Sequence, residues 1–415
     1  MRILFFSHYF PPEVNAPANR TYEHCRRWSA AGHRVTVVTC APNCPDGVLY
    51  PGYRNRLFQS ETVDGIRVVR VWTYLAANKG LVRRVLNYLS YMVAAVLASP
   101  FLGPHDVVVA TTPQFFCGWA GALAGWLVRK PLVLEVRDLW PDSIAAVGAI
   151  RSRRVLRALE WLEQRLYRAA RQVVTVGPGY RRELLAKGVP AERISVITNG
   201  VPLERFAPQA PVRALAAELG LAGKFVCSYI GTVGMAHGLE VVLDAAERLR
   251  HRTDLAFLVV GDGARREALE RERERRGLAN VVFTGRQPRE RMPSFISITD
   301  AALIHLRRTP LFATVLPSKL FEAMAGGCPV LLGVEGDAAD VVRSAGAGLA
   351  FPPEDPDALA QALAHLCDHP DEARRMGANG RACVRQNFDR RVLADQYLDL
   401  LVALGQTHPR AARAA

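Results

Sequence analysis

Short apolar runs separated by helix-length segments return along almost the whole chain, and this rhythm restricts the fold more than any other feature. Ile3–Ser7 reads as a buried strand that Pro11 and Pro12 end. Pro17 fits the first turn of a helix reaching about Ala31, Gly32 closes it, and Arg34–Thr39 is the next strand. Asp106–Ala110, Leu132–Val136 and Gln172–Val176 continue the series with helical segments between them. A second series starts near Lys224, with strands expected at Phe225–Ile230, Ala256–Val260, Val281–Thr284, Ala301–Ile304 and Pro329–Leu332. Helices fit Gly238–Arg250, Ala264–Arg276 and Ser318–Ala325. Alternation of this kind implies parallel sheets covered by helices on both faces, an α/β fold in two units. Asn199–Gly223, with three prolines and no strand signal, reads as the linker between them. The last strong helix spans about Arg390–Leu404, and fraying is expected after Thr407.

A length of 415 residues fits two to three domains, and a chain half hydrophobic with 22% charged residues can bury large cores. No internal repeat or low-complexity segment points to a solenoid or to disorder. The net charge of +14 is unevenly placed: residues 1–205 hold 27 Lys and Arg against 14 Asp and Glu, and the remainder holds 26 against 25. A one-sided basic domain implies an anionic partner such as a membrane surface or an acidic substrate, or else a plain solubility device. No nucleic-acid-binding motif accompanies the arginines. The eight Cys have no CxxC spacing, which matches reduced thiols rather than zinc ligands or a secreted framework. MRILFFSHYFPPE lacks the features of a signal peptide, so a cytoplasmic protein is expected, on the inner face of the cell membrane if it is peripheral. Val85–Leu102 is long and apolar but interrupted by Asn87, Ser90, Ser99 and Pro100. It reads as a buried domain helix, with a helix in the membrane interface as the second reading, Arg83, Arg84, Tyr88 and Tyr91 then lying at headgroup level.

Open parallel sheets bind ligands beyond the carboxyl ends of their strands, and four loops fall there. His8–Arg20 feeds a helix whose N-terminus suits a phosphate or an anionic acceptor; an ordinary turn would look the same. Arg137–Ser143 (RDLWPDS) places Asp138 and Asp142 beside a cation and an aromatic ring, unless these residues form an ion pair and a helix cap. Tyr229–Glu240 carries Gly231, Gly234 and Gly238, which permit close approach of backbone to phosphate; it matches neither the dinucleotide fingerprint nor a P-loop. Leu316–Gly327 opens a helix at Pro317 and Ser318, with Lys319 and then Glu322 one turn on: a helix N-terminus and a lysine suit a diphosphate, and a glutamate suits vicinal hydroxyls. Gly261–Gly263 and Phe283–Gln287, with Arg286, are smaller signals of the same kind.

In their order, RDLWPDS, ITNGVPLERF, the glycine loop and LPSKLFEAMAGGCPV resemble retaining glycosyltransferases of the two-Rossmann-domain type, GT-B enzymes of family 4, and within them the colanic acid and N-acetylfucosamine transferases. The resemblance implies an acceptor-binding domain at 1–205, a nucleotide-sugar domain at 206–387 facing it across a cleft, and a helix at 388–407 returning to the first. It implies that Glu322 holds the ribose, that Gly231, Gly234, His237, Gly261, Ser318, Lys319 and Leu320 surround the diphosphate, and that Arg286 lies at the base. Asn15 and Ala16 fall where the family has an acceptor and phosphate loop. Three positions depart from the family: Thr232 and His237 replace its loop Arg and Lys, Thr314 replaces the first of its paired glutamates, and Arg137 precedes Asp138 where a histidine is common. The cationic contacts are then expected from Lys319, with Arg137 or Arg307. The reaction implied retains anomeric configuration, with Asp138, Lys319 and Arg137 as catalytic candidates, no metal, no cofactor beyond the nucleotide-diphosphate sugar, and a saccharide or lipid-linked saccharide as acceptor. A nucleotide-sugar 2-epimerase of the same fold and a non-catalytic sugar-nucleotide binding subunit are the other readings.

Overall fold

The computed structural model describes residues 1–77, 81–112, 114–142 and 152–406. Ser143 and the segment after Gln406, including Thr407, lie outside the described residues. Contacts divide the chain into two units. One comprises Met1–Val176, Tyr180–Ile197 and the residues from Arg391 on; the other comprises Gly177–Gly179 and Thr198–Arg390.

The first unit is an eight-stranded sheet in the order β3-β4-β2-β1-β5-β6-β7-β8. Its strands are β1 (Arg2–Phe6), β2 (Arg34–Cys40), β3 (Phe58–Val63), β4 (Ile66–Val71), β5 (Val107–Thr111), β6 (Leu132–Val136), β7 (Gln172–Thr175) and β8 (Ile194–Val196). All pairings are parallel except β3 with β4, a hairpin turned at Asp64 and Gly65, both at positive φ. The sequence reading missed this hairpin because β3 alternates exposed and half-buried residues and carries no apolar run. β1, β2, β5, β6 and β7 are buried almost throughout, as strands covered on both faces must be. The helix Arg390–Gln406 packs Leu393, Tyr397, Leu398 and Leu401 into the core of this unit with Phe5 and Trp28, and Trp28 Nε1 donates to the Ala394 carbonyl at 2.8 Å.

The second unit is a parallel sheet in the order β11-β10-β9-β12-β13-β14. Its strands are β9 (Phe225–Ile230), β10 (Leu255–Val260), β11 (Val281–Gly285), β12 (Ala301–His305), β13 (Val330–Gly333) and β14 (Gly348–Ala350). Period-two alternation splits each strand between two cores. Ala301, Leu303 and Leu331 join one; Ala302, Ile304, Val330 and Leu332 join the other, under the helix Ser318–Ala325. Residues 199–223 are not a bare linker. The helix Arg213–Glu218 lies within them, and Leu215 and Leu221 pack under Val226, Ala256, Leu258 and Val260. The helices Pro356–Asp368 and Pro370–Asn387, which no expectation covered, complete the unit.

Val85–Leu102 corresponds to the helix Leu81–Ala98 and the turn Ser99–Phe101. It is not buried all round. Tyr91 is in the core and donates to the Val38 carbonyl at 2.8 Å, which removes it from any headgroup position, whereas Val82, Leu86, Val93, Leu97 and Phe101 are exposed.

Glu135 at the end of β6 and Arg20 on the helix Ala16–Ala30 form a buried ion pair at 2.9 Å, and Arg20 also donates to the Ile197 carbonyl at 2.9 Å. Removing one member strands a buried charge, at a cost of about 3–5 kcal/mol. Glu135→Leu should therefore lower the urea midpoint by more than the double variant Arg20→Met/Glu135→Leu does; equal losses would mean that the pair is not coupled.

Candidate functional site

In the second unit the strand order reverses between β9 and β12, and in an open parallel sheet such a reversal leaves a crevice at the carboxyl ends of the strands. The loops that leave these two strands are fastened to each other there. His305 Nε2 accepts the Glu354 N–H at 2.9 Å, so the proton sits on Nδ1, which donates to the His237 carbonyl at 2.7 Å. The Arg307 N–H donates to the Ala236 carbonyl at 2.9 Å and its Nε to the Met235 carbonyl at 2.8 Å. Its guanidinium also pairs with Glu240 and Glu354. Arg307 thus holds the loop in place, and its charge is already matched by two carboxylates.

The glycines let two loops meet backbone to backbone. Gly231 N donates to the Val260 carbonyl at 2.8 Å and Val233 N to the Asp262 carbonyl at 2.9 Å. Gly261 has φ 139°, and a Cβ there would fall 1.9 Å from the Gly231 oxygen. Gly231, at φ 149°, leaves bare backbone against a lysine: a Cβ would lie 3.0 Å from Lys319 Nζ.

Lys319 occupies the first turn of the helix Ser318–Ala325. Pro317 at the cap position offers no side-chain acceptor, and Leu320 N turns back to the Pro317 carbonyl at 3.0 Å. The N–H groups of Ser318 and Lys319 meet no acceptor among the described residues, so the positive end of the helix is open. Lys319 Nζ lies 3.9 Å from the centre of the Tyr229 ring and donates to Tyr229 Oη at 2.5 Å; Oη in turn donates to the Thr232 carbonyl at 2.7 Å. Among the described residues the ammonium forms no ion pair, and burial brings its pKa down to about 7 despite the charge of Glu322. His237 meets the Tyr229 ring edge-on, 5.9 Å between centres. Its buried Nδ1 has no partner among the described residues. Burial, then the charge of Lys319, lowers its pKa to about 3, which leaves a neutral imidazole. Gly234 lies beside that ring, where a Cβ would sit 3.4 Å from Nδ1.

One turn further, Glu322 is half-buried. Burial raises its pKa, and the charges of Arg390, Arg289 and Arg205 pull it back. The charges of three arginines from separate segments thus act on a carboxylate whose oxygens hydrogen-bond to none of the described residues. Arg390 Nε is fixed to the Gly200 carbonyl at 3.0 Å and Arg205 to the Arg289 carbonyl at 2.8 Å. Leu320 turns the other way, with its side chain in the core beside Ile304 and Leu332. Arg286 is exposed at the end of β11; the neighbouring Gly285 carbonyl accepts the Gly261 N–H at 3.0 Å, which sets the strand end beside the glycine loop. Gly231, Gly234, His237, Gly261, Ser318 and Lys319 are therefore brought together, with Glu322 one turn behind and Arg286 at the rim. The sequence reading missed Tyr229, His305 and the three arginines around Glu322. Tyr229 passes for a core residue of a strand, and Arg205 was visible only as part of ITNGVPLERF.

In the first unit, Arg137 donates its N–H to Thr112 Oγ1 at 3.0 Å and reaches the Ala16 carbonyl at 3.4 Å, so the loop after β6 meets the start of the first helix. Asn15 caps that helix, accepting from Ala18 N at 2.9 Å, and Asn19 N bonds the Asn15 carbonyl. With Pro17 lacking a donor, Ala16 alone keeps an N–H there that meets no acceptor among the described residues, fewer than a helix start ordinarily offers. Asp138 is half-buried close to Tyr180, whose phenol burial and the Asp138 charge push upward. Asp142 pairs with Lys187 at 2.7 Å, and Lys187 with the buried Glu163 at 2.8 Å, which makes Asp142 part of a structural cluster.

Comparison with known proteins gives matches to both units. Residues 15–200 match the Glycosyl transferase 4-like domain and residues 214–382 the Glycosyl transferases group 1 family. A putative colanic acid biosynthesis glycosyl transferase, WcaI of Escherichia coli K12, is 28% identical over 338 residues, 79% of this chain and 82% of that one. Among solved structures, sucrose-phosphate synthase from Thermosynechococcus elongatus matches with a TM-score of 0.74 at 20% identity over 98% of this chain and 99% of its own. Anabaena HepE in complex with UDP-glucose matches with a TM-score of 0.74 at 19% identity over 97% and 100%.

Lys319 releases its proton at about pH 7 when folded but retains it to the ordinary lysine range, near 10.5, when unfolded. Between those values the unfolded chain binds more protons, so this group costs most below about pH 7 and its cost fades as pH rises. Lys319→Met should melt a few degrees above the wild type near pH 7, with the gap closing toward about pH 10. A gap that does not change with pH would show that the ammonium is not desolvated.

Proposed function

The chain belongs to the glycosyl transferases group 1 family and is a glycosyltransferase of the GT-B fold, and from that premise we propose a retaining hexosyl transfer from a UDP-sugar to a lipid-linked saccharide in cell-surface polysaccharide synthesis. The observation that carries the donor assignment is the Lys319 ammonium, which forms no ion pair among the described residues, at an open helix start beside the bare backbone of Gly231. An amino end of a helix and a cation without a carboxylate form an incomplete electrostatic arrangement, and a diphosphate completes it. In this reading the phosphates lie against Ser318, Lys319 and Gly231, with Gly234 and His237 toward the sugar. Glu322 accepts hydrogen bonds from the ribose hydroxyls, and Arg286 lies at the base. Support for UDP comes from HepE, whose complex contains UDP-glucose; support for a polysaccharide acceptor comes from WcaI, which is described as acting in colanic acid biosynthesis. The first unit, Met1–Val176 with Tyr180–Ile197, is assigned the acceptor, with Asp138 and Arg137 positioning it, and the second unit, Thr198–Arg390, the donor.

The chemistry required of the second unit is stabilisation of a departing diphosphate. As the sugar–phosphate bond loosens, negative charge gathers on the phosphate oxygens, and oriented N–H groups with Lys319 meet it without having to reorganise. The phosphate can take the proton of the acceptor hydroxyl attacking on the same face, so no separate base, metal or cofactor is assigned.

Four outcomes test this. UDP-sugars, screened beside GDP- and ADP-sugars, should raise the melting temperature most. Lys319→Ala should reduce kcat by about a hundredfold or more with the fold intact, the loss expected when a donor to the developing charge is removed; activity within a few-fold of wild type would refute its role. Glu322→Gln should weaken UDP binding by about tenfold with little change in kcat, measured by calorimetry and initial rates. Because a bound diphosphate draws a proton onto Lys319, UDP affinity should also fall as pH rises above about 7, and Lys319→Met should flatten that slope.

A further inference from the structure

Of the 53 Lys and Arg in the chain only five are lysines: Lys79, Lys130, Lys187, Lys224 and Lys319. An arginine keeps its charge at any pH a protein survives, whereas a buried lysine gives up its proton readily. Position 319 thus carries a cation that can be discharged, in a unit whose other Lys and Arg, Lys224 apart, are all arginines. Its neighbours decide whether it stays charged. Glu322 lies one turn on along the same helix, where Arg205, Arg289 and Arg390 also act on it. His237, in the loop after β9, is a neutral imidazole. Cys328 lines a small internal cavity with Lys319 and Glu322, and burial pushes its thiol up to about 12, so it is uncharged near neutral pH. The remaining neighbour is Tyr229 on β9, and it alone touches the ammonium.

The geometry of that contact is specific. The Tyr229 side chain is buried, and burial keeps its phenol protonated far above neutral pH. A phenol has one proton to give, and Oη gives it to the Thr232 carbonyl at 2.7 Å. Only its lone pairs are left for Lys319 Nζ, at 2.5 Å. The ring face adds a second attraction, with Nζ 3.9 Å from its centre. The His237 ring packs edge-on against the phenol, and the bond to Thr232 ties it to the glycine loop, so the ring is held from two directions. Both contacts favour the ammonium over the amine, and neither brings a negative charge. A carboxylate at this place would hold the proton more firmly but would neutralise the cation and repel a phosphate. An aliphatic side chain would leave the cation unheld. A tyrosine retains the charge and leaves it available.

We propose that Tyr229 is a positioning residue for the transfer: its phenol oxygen and ring face hold Lys319 as an ammonium aimed at the diphosphate, and so set the pH above which the chain loses its donor. The consequence for the donor rests on the assignment of the diphosphate to Lys319, whereas the hold on the ammonium is a property of the free protein. When a phosphate oxygen arrives, Nζ exchanges the phenol oxygen for it and stays beside the ring, while the phenol proton remains with Thr232. The ammonium is the form that meets the diphosphate, so apparent affinity scales with the protonated fraction of Lys319. Without the phenol oxygen the ammonium is easier to discharge. That fraction then falls at neutral and alkaline pH and recovers in acid.

With only five lysines, the full chain labelled with isotopic lysine gives a readable NMR spectrum of the ε-methylene groups. The signal absent from Lys319→Arg belongs to Lys319. In the wild type it should lie upfield of the others, shifted by the Tyr229 ring, a reading that needs no change at position 229. In Tyr229→Phe, which keeps the ring and deletes the oxygen, its titration midpoint should fall by about one pH unit. UDP affinity of this variant, measured by calorimetry, should be about tenfold below wild type at about pH 8 and within about twofold of it at about pH 6. A merely structural lesion would weaken binding equally at both. An unshifted midpoint, a wild-type signal without the upfield displacement, or a loss of affinity that acid does not repair would each overturn the proposal. A lowered midpoint in a chain that binds no UDP at either pH would uphold the hold of Tyr229 on Lys319 and refute the donor assignment instead.

Discussion

The loops at the carboxyl ends of β9, β10 and β12 gather around an ammonium that forms no ion pair among the described residues. Lys319 donates to a phenol oxygen and sits over its ring, and neither contact carries a full negative charge. Desolvation of a cation in that state is costly, and it lowers the Lys319 pKa from the ordinary lysine value to about 7. The surrounding geometry sustains it rather than relieving it. The helix end adds positive potential, the imidazole of His237 is neutral, and the nearby Arg307 is already balanced by Glu240 and Glu354. Only an incoming anion can satisfy Lys319 without rebuilding the loop.

That demand explains the glycines. For phosphate oxygens to reach the helix start, the loop after β9 must run without side chains on its inner surface and be rigid enough not to collapse onto Lys319. Gly231 removes the side chain. Gly261 allows the loop after β10 to press on it closely enough for two backbone hydrogen bonds, and His305 with Arg307 fixes its far end from β12. Close approach and rigidity thus come from the reversal in strand order, since that is where two neighbouring strands send their loops apart and leave room between them.

Much of this could be read from the chain because local chemistry agrees with tertiary structure in the parallel strands. Runs such as RVTVVT and LVLEV are apolar on both faces and admit few other arrangements. LPSKLFEAMAGG opens a helix at the residue where the structure opens it. The hairpin β3–β4 escaped notice because an edge strand alternates polar and apolar residues and its partner reads as another interior run. Residues 199–223 read as a linker because they carry three prolines and no strand signal, yet Leu215 and Leu221 pack under β9 and β10, and Val201 and Phe206 join the core under the helix Ser318–Ala325. The arginines near Glu322 were illegible for a different reason: Arg205, Arg289 and Arg390 are far apart in the chain, and only the fold makes them neighbours of one carboxylate.

Arginine is used in two opposite ways in the two units. In the second, Arg248 pairs with Asp357, Arg252 with Asp254 and Asp368, and Arg276 with Asp244 and Glu272. Such exposed pairs add little stability each, but they cancel the field of the guanidinium groups. The positive potential at the start of the helix Ser318–Ala325 then comes from Lys319 and the helix end rather than from the surface at large. In the first unit, Arg129, Lys130, Arg168 and Arg171 form no ion pair with any described carboxylate, and the excess of positive charge seen in the sequence is expressed as a surface. A composition with 53 Lys and Arg could have produced a diffuse polycation. With 25 of the 39 Asp and Glu after residue 205, the arginines of the second unit are largely neutralised, and the net positive charge stays with the first.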